Sequence, residues 1–180
     1  MALTRSEVVR TATRILREYG LGDLTMRRLA RELGVQPGAL YWHVTDKQDL
    51  LVAVTEALLA ALPAPPTGPA TTQATVRTGE ELLAALLPVP DAADVVRVAL
   101  AWRPEAVTAL AAFEELAPAQ VGPDVMARRH WARGALDLVL GAVSDHQELL
   151  RVAQARSEPD PLPGEARARV AAALQRWARD

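Results

Sequence analysis

Apolar residues recur at the spacing of an α-helix over the first part of the chain. One helical face between residues 8 and 19 is formed by Val8, Val9, Ala12, Ile15, Leu16 and Tyr19. Just before this stretch, Thr4 and Glu7 have the spacing of a capping box, in which each side chain accepts a hydrogen bond from the other residue's backbone N–H. The pattern predicts a first helix that begins at Arg5 and ends at Gly20, since glycine favours the left-handed backbone of a helix stop.

Two shorter helices are predicted next, separated by a tight turn. Thr25 can cap the first of them, and Gly34 ends it. Pro37 suits the first position of the following helix, because an amide proton there would have no partner. We predict that this third helix runs from Pro37 to His43. Two short helices joined by a glycine-containing turn are typical of the helix-turn-helix, whose second helix enters the major groove of DNA.

A fourth helix and a proline-rich segment follow. The run Thr45-Asp46-Lys47-Gln48 has the form of a second capping box, and an apolar stripe then continues to Leu62. Four prolines and a glycine lie between residues 63 and 69, which is a linker composition. The predicted organisation is a DNA-binding domain over residues 1–47, a connecting helix over 48–62, a linker over 63–70 and a second helical domain over 71–180.

Prolines separate the apolar-periodic segments of the second domain, as helix stops and first-turn residues do. Helices are predicted near residues 72 to 87, 91 to 102, 104 to 117, 124 to 156 and 165 to 179. Half of all residues are apolar, but only seven are Phe, Trp or Tyr. Ala and Leu supply most of the rest, a composition that fills helix–helix interfaces. The predicted fold class is therefore all-α, with an N-terminal three-helix helix-turn-helix domain and a C-terminal helical domain.

The charge of the chain is unevenly distributed. Residues 1–47 hold eight Lys or Arg and five Asp or Glu, a net charge of +3, whereas the whole chain carries −2. This difference is expected where only the N-terminal part meets phosphate, although ordinary surface scatter explains it as well. The lack of cysteine excludes disulfides and thiolate chemistry. Because neither a signal segment nor an apolar run near twenty residues is found, we expect a cytoplasmic protein that spans no membrane.

The third predicted helix carries three large rings in succession. Successive helical residues point about 100° apart, so Tyr41, Trp42 and His43 cannot all join the core if Leu40 faces inward. Exposed rings of this kind suit contacts with phosphate oxygens and thymine methyl groups of DNA. Two alternatives stay open: Trp42 could instead pack against the first helix, and His43 could serve as an interior cap.

Three runs of sequence stand out in this region: LTMRRLA at 24–30, LGV at 33–35 and LYWHV at 40–44, followed by Lys47 and the pair Leu50-Leu51. Together they resemble the tetracycline-repressor (TetR) family, over about the first 60 residues. The resemblance implies an all-helical homodimer whose two N-terminal heads enter successive major grooves of a palindromic operator. It also implies that the DNA is released when a small molecule binds the C-terminal domain.

The resemblance further implies roles for individual residues. Thr25 and Arg27, on the helix before the turn, would contact phosphate or a base edge, and Trp42 matches a position that is partly DNA-facing and partly packed. The residues implied to approach bases are Gln36, Pro37, Gly38 and Ala39. The residues implied to anchor phosphates are Tyr41, His43 and Lys47. The tetracycline-binding members open their recognition helix with a polar pair that this chain lacks, so we expect a different operator sequence.

The C-terminal part offers candidates for two other roles. The resemblance places a dimer interface on the last two helices, where Gly134 and Gly141 lie seven residues apart with Leu138 between them; packing within the chain is the alternative. An effector cavity could be lined by the large apolar residues Trp102, Phe113, Met126 and Trp131, for which core packing is the alternative.

Metal binding is not predicted. His130 and His146 belong to no recognisable ligand pattern, and Asp145, His146 and Glu148 are expected on a solvated face. We therefore predict no metal, no cofactor and no tetracycline binding.

The function predicted from these features is that of a ligand-responsive transcriptional regulator, specifically a repressor. An architectural or interaction protein with the same DNA-binding head but without an effector is the alternative. An enzyme is not expected, because the sequence has no Gly-rich phosphate loop, no catalytic pair of carboxylates and no Ser-His or Cys-His constellation.

Overall fold

The computed structural model describes residues 3–63 and 70–179, and the middle of the predicted linker, residues 64–69, lies outside this range. The described residues form only helices and turns, without a strand, which confirms the all-α fold class. The α-helices are α1 (Arg5–Asp23), α2 (Met26–Leu33), α3 (Pro37–Leu40), α4 (Lys47–Leu59), α5 (Thr72–Leu86), α6 (Ala92–Trp102), α7 (Thr108–Glu115), α8 (Val125–Arg156) and α9 (Pro163–Trp177). Short 3₁₀ turns cover Pro104–Ala106 and Ala119–Val121.

The chain divides into two compact units that interleave along the sequence. The first consists of Met1–Ala61 and Pro88–Val107, and the second of Leu62–Leu87 and Thr108–Asp180. Helix α6 therefore belongs with the N-terminal helices, and the segment 71–180 is shared between the two units. The proline-rich segment is the strongest break in composition, but the packing of the helices does not follow the order of the chain.

Helix α4 is the centre of the first unit. Every residue from Asp49 to Thr55 is buried, so this helix needs partners on several sides. It packs against α1 and against α6. The Thr55 hydroxyl donates to the carbonyl of Leu51 at 3.0 Å and lies 3.4 Å from the carbonyl of Val95 on α6. These contacts make residues 88–107 part of the core beneath the N-terminal helices.

The start of α1 is as predicted, but its end is not. Glu7 N–H donates to the Thr4 hydroxyl at 3.2 Å and Thr4 N–H donates to the Glu7 carboxylate at 2.9 Å, which confirms the capping box. Gly20 has φ +78°, yet the helix resumes beyond it and ends at Asp23. The amide of Leu21, freed by this kink, donates to Asp91 Oδ2 at 2.8 Å. Gly20 is therefore a kink rather than a stop.

The next helix ends agree with the sequence at three positions and differ at two. Thr25 caps α2, Gly34 adopts the left-handed conformation after it, and Pro37 begins α3. Helix α3 ends at Leu40 rather than His43, and residues 41–43 continue as a turn. The predicted capping box at Thr45 is wrong: Asp46 is the cap of α4 and accepts from Asp49 N–H at 2.7 Å. The helix cap is thus the carboxylate of Asp46, one residue closer to α4 than the predicted Thr45 hydroxyl.

The second unit is built on the long helix α8, which packs against α5, α7 and α9. The buried stripe of α8 includes Ala132, Ala135, Leu136, Val139, Leu140 and Val143. The Gln147 side chain lies 3.5 Å and 3.4 Å from the carbonyls of Leu86 and Leu87 at the end of α5. Near the other end of α8, the rings of Trp131 and Trp177 have centroids 6.5 Å apart. These contacts place the C-terminal end of α5 near Gln147 and the C-terminal end of α9 near Trp131, at different points along α8.

Candidate nucleic-acid interface

The recognition helix α3 is held by apolar residues that face inward from α2 and from the turn after α3. Leu29 and Ala30 on α2 are buried, as are Leu40 and Val44, and α2 packs against α3. The turn between the two helices is closed by Val35 N–H, which donates to the carbonyl of Ala30 at 3.0 Å. Since a helix of only four residues is not stable alone, this packing determines its position.

The residues left outside this core are the predicted DNA-contacting side chains. Trp42 is 88% exposed and Tyr41 54%, so the alternative in which Trp42 packs against the first helix does not apply. Thr25, Arg27, Gln36, Pro37 and Gly38 are also exposed, whereas Ala39, His43 and Lys47 are partly buried. The Thr25 hydroxyl already accepts from Arg28 N–H at 3.1 Å as the cap of α2. The DNA-contacting roles of all these residues remain predictions.

The basic residues of the first unit fall into two groups. Some are paired internally: Arg14 binds Glu32 at 2.8 Å, and Arg28 pairs with Asp23 and lies 3.8 Å from the ring centroid of Tyr19. Others form no ion pair within the described residues, namely Arg10, Arg17, Arg27, Arg31 and Lys47. No carboxylate within the described residues is therefore paired with Arg27 or Lys47, whose side chains can attract phosphate.

A buried carboxylate lies directly behind this surface. Asp49, at the start of α4, is only 6% exposed and its Oδ2 accepts from Thr45 N–H at 3.1 Å. Burial raises the pKa of this carboxyl. The hydrogen bonds from the Thr45 amide and from the guanidinium of Arg103, at 2.6 Å, lower it by more than burial raises it, so the pKa lies below its ordinary value. Arg5 adds to this effect from 3.6 Å. Asp49 is therefore an ionised group inside the protein.

Sequence reasoning did not find this cluster. Asp46 and Asp49 have the spacing of a cap and its third helical residue, which indicates where the helix starts. Arg5 and Arg103, however, are 44 and 54 residues away from Asp49 in sequence. Nothing in the local pattern connects them.

The candidates for an effector cavity have different environments. Phe113 is fully buried and Trp131 is 8% exposed, both in the second unit. Met126 is 56% exposed, and Trp102, which belongs to the first unit, is 58% exposed. An open groove of about 760 Å³ lies between α1 and α4, lined by none of these four residues. Their role in binding an effector remains a prediction.

The candidates for a dimer interface also differ from one another. Gly134 is covered within the chain, because a Cβ atom there would overlap the ring of Trp177. Gly141 has open space around it, with nothing within 4 Å of an added Cβ, and Leu138 is half-buried. Gly134 thus serves a contact within the chain, and the dimer assignment of Leu138 and Gly141 remains a prediction.

The histidine on α8 requires a correction. Asp145 and Glu148 are exposed as expected, but His146 is buried, because it continues the apolar stripe of Val139 and Val143. No group of three or more His, Cys, Asp or Glu that could hold a metal ion occurs among the described residues. None of the helices in the described part of the chain is long and apolar enough to cross a membrane.

Comparison with known protein families places this surface in context. Residues 8–54 match the model of the bacterial regulatory proteins of the tetR family. The class C tetracycline repressor protein of Escherichia coli is 53% identical over 57 residues, which are 32% of this chain but only 26% of that repressor. The chain thus matches about a quarter of the length of the curated tetracycline repressors.

Solved structures extend the similarity over the whole chain. The crystal structure of Mycobacterium smegmatis BioQ is 31% identical, covers 99% of both chains and superimposes with a TM-score of 0.84. BioQ with its natural double-stranded DNA operator is 33% identical over 97% of this chain and 99% of that one, with a TM-score of 0.75. A TetR variant of Acinetobacter baumannii AYE in complex with minocycline is 25% identical, covers 99% and 96% of the two chains, and has a TM-score of 0.75.

Proposed function

This chain belongs to the TetR family of bacterial regulatory proteins, and we propose that it is a transcriptional repressor that binds a palindromic operator as a homodimer. The proposal includes release of the operator when a small-molecule effector binds. The observation that carries it is the exposed recognition segment: Tyr41 and Trp42 point outward while Leu40 and Val44 anchor the segment in the core. Large aromatic side chains exposed to water are unfavourable for solubility, and their exposure is therefore typical of a binding surface, here for DNA.

The similarity to solved complexes supports the two ligand classes. BioQ was crystallised with its operator, and the related TetR of Acinetobacter baumannii with minocycline. We carry over to this chain only the chemical classes, duplex DNA and a small organic effector. In our proposal the effector is not tetracycline, because His130 and His146 belong to no recognisable metal-ligand pattern.

We assign base-contacting and phosphate-contacting roles to these residues according to their exposure and side-chain chemistry. Gln36 caps α3 without a side-chain hydrogen bond, so its amide is available to a base edge, and Arg27 is available for the same purpose. Gly38 and Ala39 have no polar side chain, so their contribution would be close approach to the bases and apolar contact with thymine methyl groups. Tyr41, His43 and Lys47 would bind phosphates and fix the register on the duplex.

The test is selection of binding sites from a random pool of duplex DNA, followed by affinity measurement in a mobility-shift assay. We expect a palindromic site, with half-sites about 34 to 36 Å apart, bound at least about 10³-fold more tightly than unrelated DNA. A purified protein that binds all duplexes equally would refute the proposal. Screening small molecules for release of the selected site then distinguishes a ligand-responsive repressor from an architectural protein.

A further inference from the structure

The exit of the recognition helix is fastened at several backbone atoms. His43 is three residues beyond α3, and its carbonyl accepts from Arg5 Nη1 at 2.8 Å. Two residues later, Thr45 N–H donates to Asp49 Oδ2 at 3.1 Å. Asp46 then caps α4. The short segment from His43 to Lys47 is thus held from both sides before α4 begins.

All the fastenings except the Asp46 cap involve the carboxylate of Asp49. Arg103 Nη2 binds its Oδ1 at 2.6 Å, and the Arg5 guanidinium that reaches His43 is also 3.6 Å from its Oδ2. Arg5 stands at the start of α1 and Arg103 immediately after the end of α6. One buried anion therefore connects the exit of the recognition helix with α1 and with α6.

We infer that Asp49 is a positioning residue for DNA binding. It fixes the backbone at Thr45 and thereby holds the side chains of His43 and Lys47, two residues to either side, where they can contact the phosphate backbone of DNA. This inference rests on the proposed function. Asp49 is buried and touches no DNA itself; it acts through the loop that it holds. Its carboxylate accepts a hydrogen bond from one backbone amide and lies within ion-pair distance of two guanidinium groups.

Loss of the charge at Asp49 would affect all these groups together. Arg5 and Arg103 would face one another without a counter-charge, and like charges at such short range repel. Arg5 is also the donor to His43, so its displacement would release that carbonyl. The loop would then sample several positions, and only the one seen in this structure presents Lys47 and His43 in register with α3.

The experiment compares binding of the selected DNA site with binding of an unrelated duplex of equal length, using the full chain. Asp49→Asn keeps the shape of the side chain but removes its charge. We expect about tenfold weaker binding of the selected site, which corresponds to the loss of one charge-assisted hydrogen bond, because the phosphate contacts of His43 and Lys47 must there be in register with α3. The unrelated duplex has no fixed register, so its binding should weaken by less than about threefold. Asp94→Asn is the matched control, since Asp94 is an exposed acid on α6 in an ion pair with Arg97 at 3.2 Å. It should leave both affinities unchanged.

Arg103 supplies variants that do not depend on the folding of the Asp49 variant. Its side chain is 39% exposed, so Arg103→Gln should fold normally. We expect it to weaken binding of the selected site at least threefold, and Arg103→Lys to restore most of the affinity because it keeps the charge.

Hydrogen exchange in the free protein tests whether Asp49 holds the loop. The Thr45 amide of Asp49→Ala should exchange with solvent at least tenfold faster than in the original protein. The Val8 amide, which donates to the Thr4 carbonyl within the cap of α1, is the internal reference.

Several results would overturn the inference. It is wrong if folded Asp49→Asn binds the selected site within twofold of the original protein, or if it loses affinity for both duplexes in the same proportion. If Asp49→Asn does not fold, unchanged binding by Arg103→Gln overturns it. If the unmodified chain prefers no DNA site, the proposed function fails and this inference with it, whereas a normal site preference together with any of the results above overturns this inference alone.

Discussion

The indole ring of Trp177 on α9 covers the Cα atom of Gly134 on α8. Its Nε1–H donates to the carbonyl of Trp131 at 3.2 Å, one turn before the glycine. This hydrogen bond and the neighbouring ring of Trp131 keep the indole from turning away. Only a residue without a side chain fits beneath it.

Gly134→Ala should therefore destabilise the protein. Overpacking of this kind costs about 1 to 3 kcal/mol, which outweighs the gain of at most about 1 kcal/mol from the better helix propensity of alanine. Urea unfolding measures the difference. The same substitution in a Trp177→Leu background should cost less, because the obstructing ring is gone. Equal costs in the two backgrounds would show that the ring is not the obstacle.

The kink in α1 makes a second prediction. Gly20 has φ +78°, and a Cβ atom there would lie 2.8 Å from Asp91 Oδ2, the acceptor of the Leu21 amide. We expect Gly20→Ala to destabilise the protein by about 1 to 2 kcal/mol or more, since alanine pays for the left-handed backbone and displaces the carboxylate. Gly22→Ala is the control: it has nothing within 4 Å and no positive φ, so its stability in urea should be unchanged or higher. Similar effects at the two positions would contradict this account.

The exposed tryptophan makes a third prediction, which separates binding from stability. Trp42→Ala removes a side chain that contributes little to the core, so the melting temperature should change by no more than a degree or two. Binding of the selected DNA site should weaken by about tenfold or more if the ring contacts DNA. Trp102→Ala, which truncates another exposed tryptophan of the same unit, should leave DNA binding unchanged. A loss of affinity for both variants would point to a general effect of surface aromatics.

Lys47 and Gln36 have different proposed roles and should respond differently to salt. Lys47→Ala should weaken binding to every duplex and lower the slope of log K against log salt concentration by about one, because one phosphate contact is lost. Gln36→Ala should keep the salt slope and alter the preferred bases. Affinity measured at several salt concentrations on selected and mismatched sites checks both expectations. An exchange of the two outcomes would refute the assignment of roles.

The lowered pKa of Asp49 predicts a dependence of stability on pH. Its folded-state pKa is below the unfolded value of about 3.9. The resulting contribution to stability is therefore fully present above that value and is lost as the pH falls through the folded pKa. Asp49→Asn lacks this group, so the stability difference between the two proteins should shrink below about pH 4. Urea unfolding between pH 2 and 7 measures it, and a constant difference over that range would argue against an ionised Asp49.

The sequence was sufficient for the features that depend on near neighbours. Thr4, Thr25 and Gly34 mark helix ends because their partners lie within one turn of the chain. The exposure of at least part of the Tyr41-Trp42-His43 run followed from the rotation between successive helical residues. Helix periodicity likewise located the buried face of α1.

The features that escaped prediction depend on residues distant in sequence. Asp49 looks like an ordinary residue in the first turn of a helix until Arg5 and Arg103 are brought beside it. For Gly134 the sequence leaves a subunit interface and packing within the chain as alternatives, because nothing near it in sequence indicates that Trp177 covers it. His146 is different, because it lies three residues after Val143 on the same buried stripe of α8. Helix periodicity carries this signal, but the charged neighbours Asp145 and Glu148 favour a solvated face.

The position of α6 has a practical consequence for engineering. The segment that matches the family model ends at residue 54, on a helix whose opposite side is covered by α6. A chimeric regulator that grafts only the first 61 residues onto a foreign sensor would leave α4 uncovered beside Val95 and would lack Arg103. The unit that carries the helix-turn-helix is discontinuous in sequence, so a working graft has to include residues 88–107.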